Sequence, residues 1–129
     1  MQSFLKSRAR SFRYAFSGWW FVFRTQRNAW IHAVFSVAVI LVSFWLRLAA
    51  QDWALIIVAI AMVWTAEFIN TALEAVVDLA SKHEQDDLAK IGKDVGAAAV
   101  LIAAGGSAII GLLILGPPLW QRLQALSYR

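Results

Sequence analysis

Three apolar runs decide what this chain can fold into. Asn28–Leu46 and Val95–Gln121 contain no charged residue, and Trp53–Ala66 forms a third uncharged stretch that leads directly into an acidic segment. A hydrocarbon core about 30 Å thick takes about 20 apolar residues as a helix. The first and third runs meet that length alone, and the second meets it only by setting Glu67 near the far interface. With 60% hydrophobic residues, 16% charged residues and a mean hydropathy of +0.62, the chain is too apolar for an ordinary water-soluble domain. The expected fold class is therefore an all-α integral membrane protein, a single membrane domain over 1–129 with neither a repeat nor a second domain.

Four helices follow from the pattern. Residues 2–27 repeat aromatics at Phe12, Phe16, Trp19 and Phe23, while Lys6, Arg10 and Arg13 take other positions. That arrangement suits an amphipathic helix lying in the headgroup region. Membrane helices are expected over 29–48, 53–80 and 88–116, with Trp30 and Trp45 as interfacial anchors. The short turn at 49–52 makes the first two antiparallel neighbours. Pro117 and Pro118 are expected to loosen or end the last helix, and Asp86 or Asp87 to cap its start. Gly92, Gly96 and the alanines after them favour close helix contact.

Charge sets the orientation. Nine of the twelve Lys and Arg residues precede the first span or lie between the second and third, which leaves Arg47, Arg122 and Arg129 for the other side. The positive-inside rule then expects the N-terminus and the polar SKHEQDD segment in the cytoplasm and the C-terminus outside. The basic balance is explained by anionic lipid headgroups, without nucleic acid. Cysteine is absent, which excludes disulfides and a thiolate zinc site. The basic, amphipathic start lacks a compact apolar core and a small-residue cleavage site, so a cleaved signal peptide is not expected.

The chemistry concentrates on one face of the second span. Glu67, Asn70, Glu74 and Asp78 fall at helical spacings in EFINTALEAVVD and share an arc of about 80°. An ionisable group at membrane depth is costly and marks function. Carboxylates on one face beside a lysine fit phosphoryl transfer with magnesium, which binds through one or two carboxylates plus substrate phosphates. On that reading Glu74 and Asp78 form the metal or nucleotide end, Lys93 meets phosphate, Glu67 is a general base toward a lipid hydroxyl, and Asn70 orients either partner. No GxxxxGK[ST] loop and no HRD or DFG signature is present, so ATP would be bound by another architecture. A proton pathway and an assembly interface are the competing uses of such a stripe. A pathway would spread its carboxylates through the bilayer, whereas these cluster at one side. His32 reads as an interfacial hydrogen-bonding residue and His83 as a solvated one. Lys90 has either a phosphate-binding or an ordinary surface role.

At these motifs the sequence resembles a known family. EFINTALEAVVD, followed by LAKIGKDVGAAAVLIAA over 88–104, is similar to the small prokaryotic lipid kinases of the diacylglycerol kinase and undecaprenol kinase family. Phe12, Ala15, Gly18 and TQRNAWIH over 25–32 share that family's order and spacing. The resemblance implies a homotrimer with active sites between neighbouring protomers at the cytoplasmic face of the bacterial inner membrane. ATP would be the phosphate donor, Mg2+ the cofactor, and a membrane lipid the acceptor. It also implies roles: Glu67 as catalytic base, Asn70 as an essential catalytic asparagine, Glu74 as metal ligand, and Tyr14, Asp78, Lys93 and Asp94 around the nucleotide. Where members often carry a second metal-binding glutamate, this chain has Gln26, which keeps a carbonyl oxygen but removes one negative charge. LAKIGKDV leans toward the undecaprenol-using branch. The alternative is a non-catalytic assembly or sensing subunit with a degenerate site. Retention of Glu67, Asn70, Glu74, Asp78, Lys93 and Asp94 together argues against it.

Overall fold

A computed structural model describes residues 2–82 and 86–127, with side chains from residue 8 onward. His83 therefore lies outside the described residues. The elements are α1 (Gln2–Thr25), α2 (Arg27–Leu46), α3 (Ala50–Ala80) and α4 (Asp87–Ser127), with no strand among the described residues. Three of them, α2, α3 and α4, are long and apolar enough to cross a membrane. The chain is an integral membrane protein.

Neither α2 nor α3 contains Gly or Pro, so nothing interrupts their hydrogen-bond ladders in lipid. The turn between them is shorter than the sequence suggests. Arg47 ends α2 in the left-handed conformation (φ 56°), and its N–H and that of Leu48 bond back to Phe44 and Ser43 carbonyls. Residues equidistant from this tight turn then face each other across the pair, as Phe44 does Trp53 at 4.6 Å between ring centroids.

At the other junction, Asp86 is the cap. Its Oδ1 accepts the N–H groups of Leu88 and Ala89 at 2.7 and 3.1 Å. The expected end of the last helix at 116 differs from the structure, where α4 runs on through Pro117 and Pro118 to Ser127. Proline's φ is already helical, so the tandem removes two N–H donors without forcing a bend in φ. The carbonyls thereby freed, those of Leu113 and Ile114, lie in the last third of a helix far longer than a bilayer is thick.

The most extensive packing joins α3 to α4, and α2 lies against both. Few large side chains are buried inside the protomer. Val22 of α1, Ala29 of α2, Ile56, Ala59 and Val63 of α3 and Val100 of α4 form the narrow apolar core among the described residues. Several polar side chains within the spans find partners: Ser43 donates to the Val39 carbonyl of its own helix, Ser107 to the Ala59 carbonyl of α3, and Trp64 Nε1 to Ser36 Oγ of α2.

The second half of α1 docks on the spans. Trp19 packs tilted against Trp64 and edge-on against Phe68 of α3 at 4.9 and 4.7 Å between centroids, and Phe23 meets Trp64 and Trp30. Phe12 and Phe16 remain exposed. Trp30 Nε1 donates to the Phe23 carbonyl, which fastens the break between α1 and α2. That break is where Gln26 sits.

Candidate active site

Gln26 begins α2 in an extended conformation and makes no capping bond with its side chain. The amide is used elsewhere. Its Nε2 donates to Glu74 Oε2 at 3.0 Å, across from α3. Asn70, one turn earlier on α3, donates through Nδ2 to Glu74 Oε1 at 2.9 Å. Both carboxylate oxygens of Glu74 are thus held by amide donors, which fixes the orientation of the carboxylate.

Asn70 can point this way because α4 presents Gly96 opposite it. A Cβ at Gly96 would collide with Asn70 Oδ1 and crowd Leu73. Here the small-residue start of α4 has a specific purpose: it lets the asparagine fit between two helices.

One turn toward the membrane, Glu67 is 1% exposed. Thr71 Oγ1 donates to its backbone carbonyl, and His32 Nε2 of α2 lies 3.6 Å from its Oε2. In the other direction, Asp78 pairs with Lys93 of α4, both partly exposed. From Glu67 to Asp78 the series covers about 16 Å of helix axis. It passes from a buried carboxylate, through an amide-held carboxylate, to an accessible ion pair.

The chain therefore places Glu67, the linked Gln26, Asn70 and Glu74, and the Asp78–Lys93 pair in succession along α3. Tyr14 and Asp94 are exposed and stand outside the contacts that join the others. Lys90 is likewise exposed. Sequence reasoning undervalued His32. Antiparallel register would have found it, since counting outward from the 47–49 turn brings His32 opposite Trp64 and within one turn of Glu67.

No group of three His, Cys, Asp or Glu side chains suited to a metal is present among the described residues. The donor set around Glu74 fits a hard cation that keeps water and phosphate oxygens: one carboxylate, beside an amide that presents a carbonyl oxygen when turned over.

Residues 13–115 match the family described as prokaryotic diacylglycerol kinase. The chain belongs to that family. It is 46% identical over 109 residues to a diacylglycerol kinase of Synechocystis, covering 84% of this chain and 62% of the relative. It is 41% identical over 111 residues to an undecaprenol kinase of Bacillus subtilis, covering 85% and 89%. A diacylglycerol kinase of Escherichia coli K12 is 42% identical over 84 residues, 60% of this chain and 68% of the relative. The matched span takes in every helix that contributes to the series along α3, from the second half of α1 to the first two-thirds of α4.

Proposed function

We propose that the protein is a lipid kinase that transfers the γ-phosphate of MgATP to the hydroxyl of a membrane lipid, undecaprenol or diacylglycerol. The observation that carries this reading is the graded series along α3. A buried carboxylate at Glu67 suits a lipid hydroxyl, and an accessible Asp78–Lys93 pair suits a nucleotide arriving from water. Family membership and the names of the relatives agree with it.

Glu67 takes the proton as the lipid O–H bond breaks, and the oxygen attacks the γ-phosphorus. The bond from that phosphorus to the β,γ-bridging oxygen breaks, so ADP leaves. Asn70 keeps Glu74 oriented, and Glu74 with the turned amide of Gln26 would hold the cation. Mg2+, when bound, neutralises charge on the phosphates. Lys93 meets phosphate, while Tyr14, Asp78 and Asp94 complete the nucleotide site. The basic N-terminal segment and the 81–87 connection face the cytoplasm of a bacterial inner membrane, against anionic headgroups. The working assembly is a homotrimer.

Phosphate transfer from labelled MgATP in lipid nanodiscs, with each lipid offered separately, tests the reading. One lipid should be labelled, and Glu67→Gln should lower the rate by at least about a hundredfold while the oligomer stays intact. An assembled wild-type protein that labels neither lipid would sink it. A variant whose loss tracks with disassembly would instead assign Glu67 to structure.

A further inference from the structure

Among the buried side-chain atoms of the described residues, three have no hydrogen-bond partner: His32 Nε2, Glu67 Oε2 and Asn70 Oδ1. Two of the three face each other at 3.6 Å, longer than a formed hydrogen bond. Leaving a buried polar atom unpaired costs stability, so a facing pair kept just out of bonding range requires an explanation.

The surroundings hold the imidazole there. Its ring meets Trp64 edge-on at 6.3 Å between centroids. Trp64 is itself fixed by its bond to Ser36 and by Trp19 and Phe23 of α1. On its other side, His32 lines an apolar cavity of about 300 Å³ between α2, α3 and α4, and it is the only titratable residue in that lining. Within the cavity, then, nothing competes with Glu67 for Nε2 as a charged partner.

We propose that His32 is a positioning residue for proton removal from the acceptor lipid, acting through Glu67. The proposal rests on the lipid-kinase reading above. Nε2–H donates to Glu67 Oε2 once the substrate closes the gap, because catalytic hydrogen bonds are often long in the free enzyme and tighten in the complex. That bond fixes the carboxylate plane and leaves Oε1 to accept the hydroxyl proton. The O–H bond of the lipid breaks, an O–H bond forms on Glu67, and His32 keeps its own proton throughout. The role is orientation, so the imidazole matters for where it presents an N–H.

Two neutral amides separate reach from polarity. His32→Gln presents an amide N–H near the place of Nε2, whereas His32→Asn is one methylene short. In nanodiscs with the acceptor lipid and MgATP, His32→Asn should lower kcat by about tenfold to a hundredfold. KM for both substrates should stay within about twofold, because uniform binding is untouched. His32→Gln should recover kcat to within about threefold of wild type. With Glu67→Asp, whose carboxylate is already withdrawn from His32, adding His32→Asn should cost less than about threefold more. Wild-type kcat in His32→Asn, equal losses in the two amides, or a rise in KM alone would overturn the proposal. Should His32→Asn fail to assemble, His32→Leu takes its place against His32→Gln with the same expectations. Inactive wild-type protein would defeat the kinase reading itself, whereas active wild type with an unaffected His32→Asn would remove His32 alone.

Discussion

Gln26 and Asn70 each spend an amide hydrogen on Glu74, which makes this carboxylate sensitive to a change in either neighbour. Replacing Gln26 by glutamate puts a second negative charge at hydrogen-bond distance and removes one donor. Without a cation the two carboxylates repel; with one they share it. Gln26→Glu is therefore expected to lower the magnesium concentration for half-maximal rate several-fold, and to make Tm fall further on EDTA than it does in wild type. Titrating magnesium in both the transfer assay and thermal unfolding checks this, and an unchanged requirement with an unchanged EDTA response removes Gln26 from the metal shell. Lys93 differs in kind. Its pair with Asp78 is partly solvated, so such a contact contributes about 0.2–1 kcal/mol at most to stability. Lys93→Ala should leave Tm within a few degrees while raising KM for ATP or lowering kcat by about tenfold or more. A large drop in Tm with normal kinetics would make the pair structural. Spacing on a single helix made Glu67, Asn70, Glu74 and Asp78 legible as one stripe, because helical periodicity alone decides which of them share a face. It could not show that His32 faces Glu67, since that depends on register across the turn, nor that the Gln26 amide crosses to α3.

Helix α3 has its chemical side chains on a surface shared with two neighbours, and the closeness of α4 is what brings Lys93 to Asp78 and Gly96 to Asn70. An added methyl at Gly96 meets an asparagine that is not free to swing away, because its amide is committed to Glu74. Gly96→Ala should then cost about 1–3 kcal/mol by overpacking, and it should lower kcat as well because Asn70 must give up Glu74 to make room. Gly105→Ala is the matched control on the same helix, with nothing within 4 Å of its new Cβ. Thermal unfolding and kcat measured on both variants decide the matter, and equal effects would show that glycine matters for helix propensity alone. The three apolar runs announced the spans because length and hydropathy are local properties. Their ends were less legible. The start of α3 at Ala50 follows from the left-handed turn at Arg47, a conformation that arginine does not advertise, and the continuation of α4 to Ser127 depends on proline's helical φ outweighing its missing donors.

At the scale of the molecule, the chain buries a third of the α3 span and far less of the α4 span, with Leu101, Ile102, Leu112 and Leu113 exposed. Lipid covers such a face equally well, so exposure alone does not demand a trimer. The stronger argument is the site itself. Gln26 meets Glu74, and one turn along α3 Lys93 meets Asp78, within one chain, whereas Tyr14 and Asp94 stand apart from both pairs. If Asp94 belongs to the nucleotide site, it reaches that site on a neighbour, and one complete site then draws residues from two chains. Mixing tests this without any structural measurement. Subunits carrying only Glu67→Gln and subunits carrying only Asp94→Asn should each be inactive as homotrimers. In randomly mixed cyclic trimers three-quarters of assemblies contain both kinds, and each of those has one of three interfaces with both wild-type residues, so about a quarter of wild-type activity should return. Glu67→Gln mixed with His32→Asn probes a pair that faces within one protomer, so it should return none beyond the residual rate of the His32→Asn chains. No recovery in the Glu67 and Asp94 mixture, with co-assembly verified by a tag on each chain, would confine the entire site to a single protomer and free Asp94 from the nucleotide.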